Sequence, residues 1–270
     1  MTRSESKQPS FEFKIKQQNV SFRYAKGTSL FRGREFHDYY EIMYLIHVSG
    51  FFISEKTNIP LHPDMIILIP SKTFHNFKLE NENEYTRCCL NFHDLAEYED
   101  LIHLCMNDIY ILENPSHKIT EIFKELEMSF HNGLNGAEQS LLLAADFIRL
   151  MLELKLDTNK KLIEDTRDTN SLVAIALRYI NEHYTDDISL TSIAKELHVS
   201  KSLLSHRFQK EFNTSVYRYI TEKRLLLAKQ LIKGGTPAVT AGIDVGFKDY
   251  STFYRAYVKR YSSPPSAAKR

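Results

Sequence analysis

Apolar positions change their spacing along this chain. Residues 39–48 ("YYEIMYLIHV"), 65–70 ("MIILIP") and 85–92 ("YTRCCLNF") are short β-branched and aromatic runs, separated by turn-like stretches such as "GFFISEKTN" and "LENENE". Runs this short, with no helical spacing between them, predict antiparallel strands through residues 1–115, folded as a sandwich or barrel. Tyr40, Ile42, Tyr44, Ile46 and Val48 alternate and are expected on one core-facing side. From residue 118 the interval becomes three and four. Ile119, Ile122, Phe123, Leu126 and Phe130 form one stripe, and after "HNGLNG" a second helix is expected from about Glu138 to Leu156. That helix is apolar round most of its circumference. Packing on the strands and on a second copy of the chain would account for this; complete enclosure within one chain is the alternative. The polar stretch "DTNKKLIEDTRDTN" (157–170) reads as a linker, and everything beyond it has helical spacing.

The helical end repeats itself. Ser200 is a good N-cap, with Leu204, Phe208 and Phe212 following at intervals of four. Asp249 is another, with Phe253, Tyr257 and Tyr261 at the same intervals. Before each cap stand a short helix and a tight turn, marked by Ile193, Ala194, Leu197 and Val199 in the first and Ala241, Gly242, Val245 and Phe247 in the second. Small residues at 194 and 242 suit a close helix crossing, and Gly246 suits a turn of positive φ. Two helix-turn-helix units are the natural product, joined by a helix over 216–233. In such a unit the second helix enters the major groove of DNA. Its outward residues would be Ser202, Ser205 and His206 in the first unit and Tyr250, Ser251, Tyr254 and Arg255 in the second. Lys201, Lys210 and Lys248 would meet phosphates. Held rigidly, the pair would read successive major grooves about 34 Å apart.

Charge supports this direction. The net value of +1 conceals an asymmetry: residues 189–270 carry fifteen Lys or Arg against five Asp or Glu, leaving twenty against twenty-nine before them. A polyanion partner for the basic end explains the split; a solvated basic face, or docking of the two halves, is the alternative. With 270 residues, 43% hydrophobic and 26% charged, the chain is globular and long enough for two domains. Cys88, Cys89 and Cys105 suit reduced thiols in the cytoplasm better than a disulfide framework or a zinc site. The opening segment lacks the apolar core of a signal peptide. The most apolar window, residues 141–154, is broken by Asp146, Arg149 and Glu153, so a buried helix is expected and no membrane span. With no Gly-rich phosphate loop and no Ser/His/Asp arrangement, neither a cofactor nor catalysis is expected.

These residues carry a family resemblance. "ISLTSIAKELHVSKSLLSHRFQKEF", "KRLLLAKQLI" and "VGFKDYSTFYRAYVKRYSSPP" resemble the DNA-binding part of the AraC family of bacterial transcriptional regulators, over residues 188–266. Three departures stand out. Asn213 occupies a place where the family usually has Gly, and Ala241-Gly242 replaces Ile-Ala, which should loosen the second unit's first helix. Ala268 and Lys269 replace Tyr and Arg, which should weaken the C-terminal anchor. "FHDYYEIMYLIHVSG" with "LHPDMIILIPSKTFHNF" is similar to the family's cupin-like sensory domain. Metal-holding cupins present a His-x-His, a Glu and a later His. Here His37, Tyr39, Glu41 and His75 take those places, one histidine being replaced by Tyr39. Three ligands could still bind zinc or iron; contact with an organic ligand is the expectation, and structural closure of the strands the alternative.

The resemblance implies a two-domain α+β fold: an N-terminal antiparallel, cupin-like β-barrel with a helical pair, and a C-terminal all-α double helix-turn-helix. The expected limits are 1–115 for the sensory barrel, 116–158 for a dimerisation segment, 159–170 for the linker and 171–270 for DNA binding. It further implies a homodimer that binds promoter DNA and a small-molecule effector. Such a regulator activates transcription through RNA polymerase, repression being the alternative. A metal-dependent cupin enzyme with an accessory helical domain, and a dimeric regulator without a ligand, are the competing readings.

Overall fold

The computed structural model describes residues 11–17, 19–27, 36–93, 98–165, 168 and 170–269. The opening segment read above for a signal peptide lies largely outside these residues, as do positions 166, 167 and 169 of the expected linker. The chain forms two compact units, the bulk of the first ending at Asp165 and the bulk of the second starting at Thr166.

Among the described residues the first unit is built on ten strands and three helices. They are β1 (Phe11–Gln17), β2 (Val20–Lys26), β3 (Tyr40–His47), β4 (Gly50–Ser54), β5 (Asn58–Leu61), β6 (Met65–Ile69), β7 (His75–Leu79), β8 (Thr86–Phe92), α1 (Glu99–Met106), β9 (Tyr110–Leu112), α2 (His117–Met128), α3 (Gly136–Leu156) and β10 (Lys161–Leu162). Seven strands form one sheet in the order β1-β2-β8-β3-β6-β9-β10, and β5-β4-β7 form a second. Among the described residues the expected barrel does not close. The large sheet ends on β1 and β10, because β4, β5 and β7 pair among themselves and leave its ladder.

Alternation along the strands divides the apolar residues between two cores. Val20, Phe22, Ile42, Tyr44, Ile66, Leu68, Cys88 and Leu90 face α1, α2 and α3. Met43, Leu45, Met65, Ile67, Ile69 and Cys89 face Phe52 and Leu61 of the smaller sheet. Adjacent Cys88 and Cys89 therefore lie in different cores, and all three cysteines are free and buried. Val48 departs from the expected stripe: a register shift between Leu45 and His47 transfers it to the second core. A bulge adds one residue, and side chains beyond it change face. Phe130 departs as well. Helix α2 ends at Met128, and Phe130 is 46% exposed. Helix α1 falls inside the region whose spacing suggested strands alone, and β10 falls inside the expected linker.

Helix α3 starts from a capping box in which Asn135 accepts from the backbone of Glu138 and Glu138 returns a bond to Asn135. Leu143, Phe147, Leu150, Met151 and Leu154 are buried beneath it, whereas Leu141, Ile148, Leu152 and Leu156 are exposed. Among the buried residues stands Asp146. Its Oδ1 lies 3.8 Å from Arg149, which also reaches Glu125 on α2 at 3.0 Å. Its Oδ2 is buried without a hydrogen-bond partner. Burial, then the charge of Glu125, lift the Asp146 pKa from 3.8 to about 6, against the pull of Arg149.

A raised carboxyl pKa means that the folded protein keeps a proton the unfolded chain has released, so stability falls as pH rises from about 4 through about 6. Asp146→Asn is therefore expected to stabilise the first unit at pH 7.5 by roughly 1–3 kcal/mol, with the gain gone by pH 4. Thermal unfolding of both proteins across that pH range checks this; a difference independent of pH would be contrary to it.

Candidate nucleic-acid interface

The second unit is helical: α4 (Leu172–His183), α5 (Leu190–Glu196), α6 (Lys201–Phe212), α7 (Val216–Lys233), α8 (Ala238–Asp244) and α9 (Tyr250–Tyr261), then a 3-10 turn over Pro265–Lys269. Local chemistry starts and stops the helices. Ser189 caps α5 with a bond from Ser192 N–H at 3.1 Å, and Ser200 caps α6 with one from Leu203 N–H at 3.1 Å. Asp249 caps α9 with one from Thr252 N–H at 2.8 Å. Bonds from the Thr252 backbone and hydroxyl hold the Asp249 carboxyl below its ordinary pKa. Helix α6 ends at Asn213 and α9 at Ser262, each left-handed with φ near 54°. Asn213 thus performs the turn for which a glycine is usual.

In each unit the stripe at intervals of four turns inward. Leu204, Phe208 and Phe212 of α6 are buried, as are Phe253 and Tyr257 of α9. Tyr261, third in the second stripe, is half-buried. The opposite face of α6 exposes Lys201, Ser202, Ser205, His206 and Lys210; that of α9 exposes Ser251, Tyr254 and Arg255, with Lys248 exposed just before it. Tyr250 differs from this set: half-buried, it packs against the core that Leu225, Ala228, Val245, Phe253 and Tyr257 form in this unit, 5.9 Å from the Phe253 ring. Leu203 went unnoticed in the spacing because it adjoins the buried Leu204. It is 43% exposed on the same side as Ser202, where an apolar group can meet a thymine methyl.

Backbone constraints set the helix angles. Gly242 is buried, and a Cβ there would lie 2.7 Å from Cδ1 of Phe253. The glycine sacrifices helix propensity on α8 but lets α9 approach, so position 242 is a tight contact. Gly246 has φ +96°, and a Cβ there would meet Thr185 O at 2.5 Å. The matching residue of the first unit, His198, also has positive φ, 54°. Helix α7 links the two units by more than its length. Arg224 donates to Tyr184 O at 2.6 Å and Asp186 O at 2.7 Å, while its guanidinium borders Gly246. Farther along, half-buried Arg260 of α9 pairs with buried Glu222 of α7. Burial pushes the Glu222 pKa up, and Arg260 opposes it. Near the C-terminal end Pro265 is buried, and Ala268 packs against the Leu225–Phe253–Tyr257 core.

His37, Glu41 and His75 are buried, and their potential ligand atoms lie within 4.8 Å of one another. His37 Nε2 is 3.4 Å from Glu41 Oε2, and His37 Nδ1 is 2.7 Å from Tyr39 O. The Tyr39 ring stacks on His37 with centroids 3.9 Å apart. The four residues nominated from sequence are thus brought together.

Two family models match this chain: an AraC-like ligand binding domain over residues 19–151 and a helix-turn-helix domain over 193–270. The arabinose operon regulatory protein of Escherichia coli is 24% identical over 212 residues, 76% of this chain and 71% of that protein. The raffinose operon transcriptional regulatory protein RafR of Pediococcus pentosaceus is 25% identical over 245 residues, 86% of this chain and 84% of its own length. The transcriptional activator RhaS of Escherichia coli is 20% identical over 237 residues, 85% of this chain and 84% of its own.

The two matched turns give opposite expectations for one side chain. Gly246→Ala is expected to destabilise the second unit by about 2 kcal/mol or more, since strain at positive φ adds to the clash. His198→Gly should be neutral or stabilising by up to about 1 kcal/mol. Denaturant midpoints of the two variants check the pair; a harmless Gly246→Ala would show that the turn is not constrained as described.

Proposed function

We propose how this chain, which belongs to the AraC family of transcriptional regulators, divides its work between its two halves. It is a transcription regulator with an N-terminal ligand-binding domain and a C-terminal helix-turn-helix DNA-binding domain, and not an enzyme. The proposed limits are 1–115 for effector binding, 116–158 for dimerisation, 159–170 for the linker and 171–270 for DNA binding. Helices α6 and α9 enter successive major grooves. Ser202, Ser205, His206, Ser251, Tyr254 and Arg255 face base edges, Lys201, Lys210 and Lys248 face phosphates, and Tyr250 supports the start of α9. The observation that carries this reading is the paired construction: two capped helices, each buried along one stripe and exposing a polar, basic face along the other.

The remaining assignments follow from chemistry. A homodimer forms through α3, whose exposed Leu141, Ile148, Leu152 and Leu156, at intervals of seven, four and four, line one side of the helix. A small-molecule effector shifts the balance between arrangements of the dimer, and the DNA-bound protein activates transcription by contact with RNA polymerase. Free, buried thiols accord with a cytoplasmic setting.

Selection of bound fragments from genomic DNA is expected to yield two half-sites. Arg255→Ala should cost about 1–3 kcal/mol on the selected site and far less on random DNA; equal losses on both would make Arg255 a phosphate contact. Ile148→Glu with Leu152→Glu should convert a dimer to a monomer in sedimentation while leaving the fold intact. An unchanged assembly would remove α3 as the seam.

A further inference from the structure

The first turn of α9 carries a chain of polar contacts that α6 lacks. Asp249, the N-cap, divides its carboxylate between two groups of one residue. Its Oδ1 accepts from the Thr252 backbone N–H at 2.8 Å, and its Oδ2 accepts from the Thr252 hydroxyl at 2.9 Å. With its proton committed to Asp249, the Thr252 oxygen keeps only lone pairs for a further partner. Arg255 takes this place, its Nη2 lying 3.5 Å from Thr252 Oγ1. Residues three apart on a helix are surface neighbours, so the contact passes from cap to guanidinium along one side of α9.

The repeat supplies the comparison. Ser200, Leu203 and His206 take the corresponding places in the first unit. Ser200 has a single side-chain oxygen, which accepts from the Leu203 N–H at 3.1 Å, and Leu203 has no hydroxyl to extend the contact. A helix at this point of the motif is thus capped without a second carboxylate oxygen and without a hydroxyl three residues on. In the second unit both are present, and the group they reach is Arg255.

Charge acts in the same direction. The Asp249 carboxylate attracts the guanidinium across the first turn, and the Arg255 charge is among the influences that hold the Asp249 pKa low. Lys259, exposed one turn beyond Arg255, repels it from the other side. Arg255 is itself exposed and has no ion pair among the described residues. At 3.5 Å the contact is a restraint, longer than a strong hydrogen bond, and it engages one nitrogen only. The other N–H donors stay open to a base.

We propose that Thr252 is a positioning residue: oriented by Asp249, it restrains Arg255 so that the guanidinium meets a guanine in the half-site under α9. Paired bonds to guanine O6 and N7 require the plane of the guanidinium to be fixed. A long side chain surrenders rotamer freedom on binding, and restraint beforehand lowers that cost. The proposal rests on the base-reading role given to Arg255 above.

The test is a double-mutant cycle on the full chain, read as binding to the selected site and to random DNA. Thr252→Val removes the hydroxyl, nearly keeps the volume and leaves the backbone N–H to Asp249. It is expected to weaken the selected site by roughly three- to tenfold and random DNA hardly at all, at an unchanged melting temperature. Thr252→Ser should restore binding. Asp249→Ser, which copies the cap of the first unit, should reproduce the loss without touching position 252. In an Arg255→Ala background Thr252→Val should have no further effect, because the group it positions is gone. The same loss in both backgrounds would overturn the proposal and make Thr252 a contact in its own right, leaving the role of Arg255 intact. No loss from Thr252→Val on the selected site would also overturn it. Equal weakening of Arg255→Ala on selected and random DNA would overturn both the proposal and the role on which it rests.

Discussion

Each helix-turn-helix unit depends on how closely two short helices can cross. The second helix presents its outer face only if its inner face can seat against the first, and that seat leaves almost no room. Ala194 fills it in one unit, and Gly242 fills it in the other because the Phe253 ring already occupies the place of a Cβ. The turn between the helices must then reverse through positive φ, which Gly246 does freely and His198 does at some strain. From these two requirements follow the burial of Phe208 and Phe253 and the exposure of Ser202, His206, Ser251 and Arg255. The chemistry offered to DNA is thus set by residues that never touch it.

The same logic extends to the relation between the units. A connecting helix alone fixes a distance, but rotation about its axis also has to be fixed if both outer faces are to meet one duplex. Arg224 holds the α4–α5 loop by two carbonyl bonds while bordering the α8–α9 turn, and the Glu222–Arg260 pair ties the end of α9 to the same helix. A buried ion pair contributes little net stability against an apolar replacement, yet losing one partner is costly. Its contribution here is to orientation.

How legible all this was in the sequence depends on the range of the interaction concerned. The caps at Ser200 and Asp249, the stripes at intervals of four and the glycine turn rest on contacts within a dozen residues, and the bare sequence exposes them. The large-sheet pairings of β3 with β6 and β8 also follow from runs that read as strands. The barrel did not appear, because whether a sheet closes depends on which distant edges pair, and local alternation is silent on that. Val48 changed core through one extra residue, a displacement that alternation cannot anticipate. Phe130 kept the helical interval but lies beyond the end of α2. Tyr250 was placed with the groove-facing residues by its position on the helix, and aromatic packing with Phe253 drew it partly inward. His37, Glu41 and His75 were nominated by a family pattern rather than by periodicity, and they lie together although far apart in sequence.

Helix α3 shows why composition alone misjudges an apolar helix. Its buried side carries a carboxylate held near pKa 6, and its exposed side carries four large aliphatic residues, the reverse of what simple amphipathicity prescribes. A monomer would gain by exchanging Asp146 for an apolar residue and the outer leucines for charges. That neither exchange is present argues that α3 answers to two demands, one on each face. On the outer face the demand is that of the dimer seam proposed above. On the inner face, Asp146 lies beside the Arg149–Glu125 pair that joins α3 to α2, so a change in its ionisation alters the charge balance under the helix that carries the proposed seam. The proposed seam thus lies on the same helix as the group that gives folding its pH dependence.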